Sequence, residues 1–297
     1  MTCCAGRARS GQPIVQTDVV GHERSRFAGG DQAYLRDEQY RDDSRLARRA
    51  DLHAKYGTTP TPWFDWVFDR VRLAPAMSVL EAGCGAGWLW QQSTVPVPAG
   101  VRLTLTDLSP GMVDTAVRNI EAAKRFAAVV GEPADLQSLP FPARSFDRVV
   151  ANHMLYHLPD PAVGVSELAR VVKTDGLAVV ATNGRRHMRE LWRIRSSVFG
   201  TQPIDHTVDV FGAETGFGML RDQFADVRWF AFQDELRCTD PADVLAYVCS
   251  TPPGEDANTE QLQHLSAALD AEFERGAGTM TITKDTGCFV CRAPFAS

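Results

Sequence analysis

Lysine is scarce in this chain. Of 31 basic residues only Lys55, Lys124, Lys173 and Lys284 are lysines, a bias that reads as codon usage in a GC-rich genome and carries no mechanism. The formal net charge of −6 leaves no basic footprint for nucleic acid, so small-molecule chemistry is favoured. No run of 18 apolar residues occurs, which argues against a membrane-spanning helix, and the leading residues lack the apolar stretch of an export signal. A soluble, cytoplasmic protein without membrane contact is expected. The seven cysteines are few, odd in number and scattered, so a disulfide framework is not expected. Cys288-Phe-Val-Cys291 spells C-x-x-C, yet no second pair of ligands with matching spacing accompanies it. Residues three apart on a strand face opposite ways, so a structural role is expected there and no metal site. Cys3-Cys4 has no apolar segment before it that would suggest lipidation, and no internal repeat is visible.

What is present centres on Val79-Leu80-Glu81-Ala82-Gly83-Cys84-Gly85-Ala86-Gly87, an apolar run ending in a carboxylate and opening into three alternating glycines. It reads as a strand, a tight turn and a helix start, with glycines where the backbone takes positive φ or a ligand lies against the main chain. Dinucleotide sites space their glycines G-x-G-x-x-G, and here that third position is Trp88. Glu81 would repel a pyrophosphate and suit an ammonium group, which S-adenosylmethionine (SAM) carries.

The stretch resembles the glycine motif of class I SAM-dependent methyltransferases, and the resemblance extends from about Trp63 to about Asn183. It implies that the turn Gly83, Cys84, Gly85 and Gly87, with Glu81, holds the methionine part of SAM. An acid ending the second strand would hold the ribose. Val101-Arg-Leu-Thr-Leu-Thr alternates as a strand and ends at Asp107, 24 positions after Gly83, near the offset at which doubly wound folds place that acid. Leu108 follows it as a cofactor contact, and Ser109-Pro110 supplies a separate helix cap. Glu132-Pro-Ala-Asp135-Leu136 is similar to the family's adenine-binding loop. The resemblance sets Asp135 against the exocyclic amine and Leu136 on the ring, with Met112 covering the other side, while an Asx turn is the structural alternative for Asp135.

Ser145-Phe-Asp147 through Asn152-His153-Met154-Leu-Tyr156-His157-Leu-Pro-Asp160 resembles the fourth strand and following loop of the ubiquinone/menaquinone-type methyltransferases. Ligands of open α/β sheets bind beyond the carboxyl ends of strands, so Asn152 and His153 are cofactor or substrate candidates. His157 is the candidate general base, with His153 or Tyr156 as substitutes. The alternative for His157 is a backbone hydrogen bond. Tyr34 and Tyr40 sit on a leading helical arm and are candidate lid residues over the cofactor.

The expected fold is α/β, a doubly wound and mostly parallel seven-stranded sheet with an N-terminal helical arm and a helical cap. Residues 1–30 are expected to be mobile, 31–75 to form the arm, 76–184 the SAM-binding core, 185–225 the cap that sets substrate choice, and 226–297 the rest of the sheet with a helical insertion. Phe199, Phe211, Phe217 and Met219 belong to that cap. Arg185, Arg186, Arg189 and Arg193 recur at helical spacing, as a solvated face or as a receptor for an anionic substrate. The aromatics of Pro62-Trp-Phe-Asp-Trp read as core, and Thr279–Arg292 as a hairpin closing the sheet. The expected activity is SAM-dependent methyl transfer to C, O or N of a small hydrophobic acceptor, natural-product or quinone-like. The alternative is a SAM-binding regulator or cyclase using the same pocket, and a nicotinamide oxidoreductase is disfavoured by Trp88 and Glu81. A homo-oligomer with an exchanged arm is compatible with this pattern.

Overall fold

A computed structural model describes residues 27–28, 31–41 and 44–292. The mobile stretch expected over residues 1–30 therefore lies outside the described residues, except Phe27 and Ala28. Of those two, Ala28 is buried and the Phe27 ring stands edge-on to His157 at 4.8 Å. The Cys3-Cys4 reading also falls outside.

Seven strands form one sheet in the order β3 (Ala128–Pro133), β2 (Arg102–Asp107), β1 (Ser78–Ala82), β4 (Phe146–Asn152), β5 (Val172–Asn183), β9 (Thr286–Arg292) and β6 (Asp226–Phe232). The first five are parallel, and β9 runs antiparallel between β5 and β6. β7 (Glu235–Cys238) and β8 (Met280–Thr283) pair separately as a small antiparallel sheet. The hairpin expected over Thr279–Arg292 is thus two strands in two sheets. β9 is an interior strand and β6 the edge.

Helices cover both faces. The leading arm holds α1 (Gln32–Tyr34), a π-helical turn over Leu35–Gln39, and α2 (Ser44–Tyr56). Then follow α3 (Trp63–Val71), α4 (Trp88–Gln92), α5 (Pro110–Glu121), α6 (Pro161–Val171), α7 (Arg189–Phe199), α8 (Thr207–Phe211), α9 (Ala213–Arg221), α10 (Pro241–Val248) and α11 (Thr259–Arg275). Three start alike: Ser109, Asp160 and Asp240 each accept a backbone N–H of the first turn, and a proline follows at the first helical position. Each such cap contributes about 1 kcal/mol.

β1, β4 and β5 are buried on both faces over their apolar stretches, residues 79–80, 149–151 and 177–181. One face packs Leu80, Val149, Val180 and Phe289 against α6 and α9, and the other packs Val79, Val150 and Val179 against α3 and α4. Cys291 joins the first cluster and Cys288 the second, which separates the C-x-x-C pair by the thickness of the sheet. Burial pushes the Cys288 thiol up to about 12 and that of Cys291 higher still.

Candidate functional site

A cavity of about 960 Å³ lies beyond the carboxyl ends of the parallel strands. Strand ends supply its floor: Glu81 from β1, Asp107 from β2, Asn152 from β4, Asn183 from β5 and Phe232 from β6. Thr286 joins them because β9, being antiparallel, begins at that edge. The volume is at the upper end of ligand sites and holds a nucleoside cofactor together with a second small molecule.

At one end is the glycine turn. Gly83 has φ +67°, and a Cβ there would lie 2.7 Å from Met154 Cγ, so only glycine passes the chain at that point. Asp107 ties the turn in place, its Oδ2 accepting from the Gly85 N–H at 3.0 Å and its Oδ1 from the Ser109 N–H at 2.9 Å. Burial raises its pKa against those two backbone bonds. A carboxylate oxygen has a second lone pair, so Asp107 can hold the turn and still accept from ligand hydroxyls. Leu108, Cys84 and Leu136 line the same end. Asp135 is in its wall, with Oδ1 accepting from the Gln137 N–H at 2.8 Å as an Asx turn would. Asn152 Oδ1 is buried and has no partner.

Several expected roles change. Glu81 Oε2 accepts from Trp90 Nε1 at 2.5 Å, and burial pushes the carboxyl up to about 8. At neutral pH the site therefore holds Glu81 largely protonated, so the repulsion of a diphosphate expected from it is lost. Gly87 does not line the cavity; with φ +76°, its missing Cβ makes room for Ile120 and Ala116 of α5. Met112 is buried on α5 away from the lining. Tyr34 is buried beside Gln39 and Glu255, and its hydroxyl bonds to both rather than facing the cavity.

His157 is engaged at both ring nitrogens. Nδ1 bonds the Phe27 carbonyl at 2.8 Å, which can only accept, so Nδ1 carries the proton and Nε2 accepts from the Tyr40 hydroxyl at 2.9 Å. Burial, against the Phe27 bond, lowers its pKa to about 3. As placed, His157 is a latch that pins the arm over the cavity, not a base with a free lone pair. Gln32 Nε2 adds to the latch by donating to the His157 carbonyl at 2.7 Å. Tyr40 is among the residues that line the cavity, and the arm lies against its own chain's cavity. Burial raises the Tyr156 hydroxyl well above the usual phenol range, so it stays neutral.

The other end was largely invisible in the sequence. His153, at φ +56°, turns its ring toward Trp63, with centroids 5.2 Å apart. Its pKa is lowered to about 4 by burial and then by Lys284. His53 and His187 stack with centroids 6.0 Å apart, each with a buried Nδ1 lacking a partner. Burial brings His53 to about 3 and His187 well down. Lys284 and Asp234 form a buried pair at 2.6 Å. Arg195 and Arg49 complete this end with Tyr156 and Tyr247. Trp63 and Phe64 line the cavity instead of joining the core centre, unlike Val67, Phe68 and Val71 of the same helix.

The expected cap differs most. Phe211 is buried in the core under β5, Phe217 lies on the surface against Phe289, and neither they nor Met219 touch the cavity. Within the expected cap, 185–225, the cavity is lined by other residues, His187, Trp192, Arg195 and Thr207 among them, and residues 251–253 of the C-terminal insertion join them. The four arginines Arg185, Arg186, Arg189 and Arg193 are all exposed to solvent. Arg185 and Arg186 precede α7 and pair with Asp209 and Asp285, and Arg189 pairs with Glu190.

Two signals in the sequence point to what was missed. Asn183 ends β5 at the same edge as Asn152. Arg195 interrupts the apolar stripe Leu191, Trp192, Ile194 of α7. His53 and His187, far apart in the chain, left none.

Residues 80–180 match the methyltransferase-domain family. Among curated relatives, the malonyl-[acyl-carrier protein] O-methyltransferase of Hahella chejuensis is 34% identical over 104 residues, covering 35% of this chain and 36% of that one. The ubiquinone/menaquinone biosynthesis C-methyltransferase of Geotalea uraniireducens is 25% identical over 118 residues, covering 40% and 50%. The chain spans about half the length, or less, of these two relatives. The solved structure of a [4+2]-cyclase superposes with a TM-score of 0.53 at 16% identity, over 86% of this chain and 94% of that one, which shows the shared fold. Residues 80–180 of this chain, which hold the glycine turn and Asp107, are thus similar to a methyltransferase domain and sit on a seven-stranded, mostly parallel sheet.

Proposed function

We propose that the whole chain is a SAM-dependent methyltransferase acting on a small hydrophobic acceptor. The observation that carries this is the joint placement, around the Gly83–Gly85 turn, of Asp107 and the partnerless Asn152 Oδ1 on the floor of one cavity. When bound, SAM supplies a methyl group on a cationic sulfur. The turn and Asp107 would hold its methionine and ribose parts, and Asp135 and Leu136 its adenine. Tyr40, through His157, keeps the arm over the cavity and water out of it. The chain's contribution is alignment and desolvation.

Base strength narrows the acceptor. His53, His153 and His157 are held at about 3 to 4, so each is neutral at pH 7 and a poor proton acceptor. The nucleophile best suited to such a site arrives already deprotonated or is an electron-rich carbon. O-Methylation, named for the Hahella relative, meets that condition where the oxygen is a carboxylate's, and C-methylation, named for the Geotalea relative, where the carbon is electron-rich. A role in secondary metabolism in the cytoplasm fits an apolar acceptor, and self-association with arm exchange is tested by light scattering with and without the arm.

Calorimetry with SAM tests the cofactor end, and labelled methyl appearing in an extract-derived acceptor tests transfer. Tight SAM binding with no labelled product from any extract would leave a binding protein in place of the enzyme.

A further inference from the structure

Two guanidinium groups line the acceptor end, and among the described residues neither has a carboxylate within ion-pair distance. Arg195 is 8% exposed. Its Nη1 donates to the Pro252 carbonyl at 3.0 Å, its plane lies 4.2 Å from the Trp192 ring centre, and its buried Nε meets no acceptor. Burial lowers its pKa, while Asp205 and Tyr247 act in the opposite sense through space. Arg49 donates to the Ser250 carbonyl at 3.3 Å and to the Tyr40 hydroxyl at 3.4 Å, with the Phe27 and Tyr40 rings 5.6 and 5.7 Å away. The two arginines thus hang on carbonyls two residues apart in one loop.

A buried cation met only by carbonyls and ring faces is poorly compensated, because neutral dipoles do not replace the hydration of a full charge. Chains keep such groups where an anion entering the site completes them, and the planar fork of arginine fits an oxyanion with two parallel bonds. We propose that Arg195 and Arg49 bind an anionic oxygen group of the guest, a carboxylate or a phosphate ester, so that the acceptors are organic acids with an apolar body. The aromatic walls at Trp63, Tyr156 and Phe232 suit the apolar part. The inference deepens the methyl-transfer reading and rests on it for the word acceptor, whereas the anion site itself stands on the geometry of this end.

Benzoate, phenyl phosphate and neutral benzamide probe it, their affinities measured by ligand-observed NMR on the full chain with and without S-adenosylhomocysteine. At least one anion is expected to bind 10-fold or more tightly than benzamide, and the tighter of the two identifies the natural group. Arg195→Met should bring anion and amide within about twofold, Arg195→Lys should keep part of the preference, and Arg49→Gln should reduce it independently. Affinity for S-adenosylhomocysteine should stay within about twofold in all three, which also shows that they fold. Equal binding of benzamide and the anions, no binding of any probe, or an undiminished preference in both Arg195→Met and Arg49→Gln overturns the proposal. Failure of the unaltered protein to bind S-adenosylhomocysteine strikes the methyl-transfer reading instead, and the anion preference measured without it still decides this one.

Discussion

The two ends of the cavity are built in different ways. The glycine end comes from short, contiguous pieces, the β1–α4 turn, the tip of β2 and the tip of β4, and is held by local backbone bonds such as Gly85 N–H to Asp107. The acceptor end is assembled from α2, α7, the β6–β7 connection and the loop before α11, which meet only in three dimensions. One end is polar through fixed backbone geometry. The other is polar through buried side chains with unmet bonding groups, at His53, His187 and Arg195. A shared cofactor site can be carried by a local motif, while a site that varies with the substrate is free to draw on any residues the topology brings together.

The largest expected effect separates the ends by pH. His53, His153 and His157 have folded pKa values near 3 to 4, below the unfolded value of about 6.5, so the unfolded chain binds more protons between those limits. Their contribution is fully present above pH 6.5 and is lost as pH falls, by up to about 1.4 kcal/mol per pH unit for each. Glu81 acts in the opposite sense: raised to about 8, it makes stability fall as pH climbs from about 4.5 to 8. Thermal melts should therefore show a maximum near neutrality with a steep acid limb. His53→Gln should soften that limb and Glu81→Gln should flatten the alkaline side. A melt indifferent to pH between 4 and 6.5 would contradict the burial of the histidines.

Asp107→Ala comes next. It removes the proposed ribose contact and the anchor of the Gly85 N–H, and SAM affinity should fall about 100-fold, or about 3 kcal/mol, by calorimetry. Acceptor-end variants should leave that affinity alone. Gly87→Ala should lower stability by about 2 kcal/mol, since a Cβ would lie 2.8 Å from Ile120 Cδ1 at φ +76°, and denaturant titration measures it. Tyr40→Phe breaks the latch at His157 and should cost about 1 kcal/mol, seen as faster amide exchange over 31–41 with the β1–β2 core unaffected. Arg185→Ala, on an exposed pair with Asp209, should change stability by less than about 0.5 kcal/mol and turnover not at all.

Much of the architecture was legible because it is periodic or local. The apolar run before the glycines marked β1, the alternation over residues 101–106 marked β2, and Ser109-Pro110 marked a helix start, since a cap is a bond between near neighbours. Local spelling misled where a partner lay elsewhere. Nothing around Thr279–Arg292 says that β8 pairs with β7 while β9 inserts between β5 and β6. Phe211 and Phe217 read as a cap because they are aromatic, yet one is core and one is surface.

Read alone, the residue order marked the first parallel strands, the glycine turn and the place of Asp107 at a strand end, because strand periodicity, positive-φ glycines and a carboxylate at a strand end are short-range consequences of backbone sterics and hydrogen bonding. Folding decided protonation and access. It buried Glu81 against Trp90, spent both nitrogens of His157 on Phe27 and Tyr40, and set Arg195 in the wall without a carboxylate. Desolvation depends on everything packed around a group, and that surrounding is supplied by parts of the chain more than 100 residues away, such as Tyr40 beside His157.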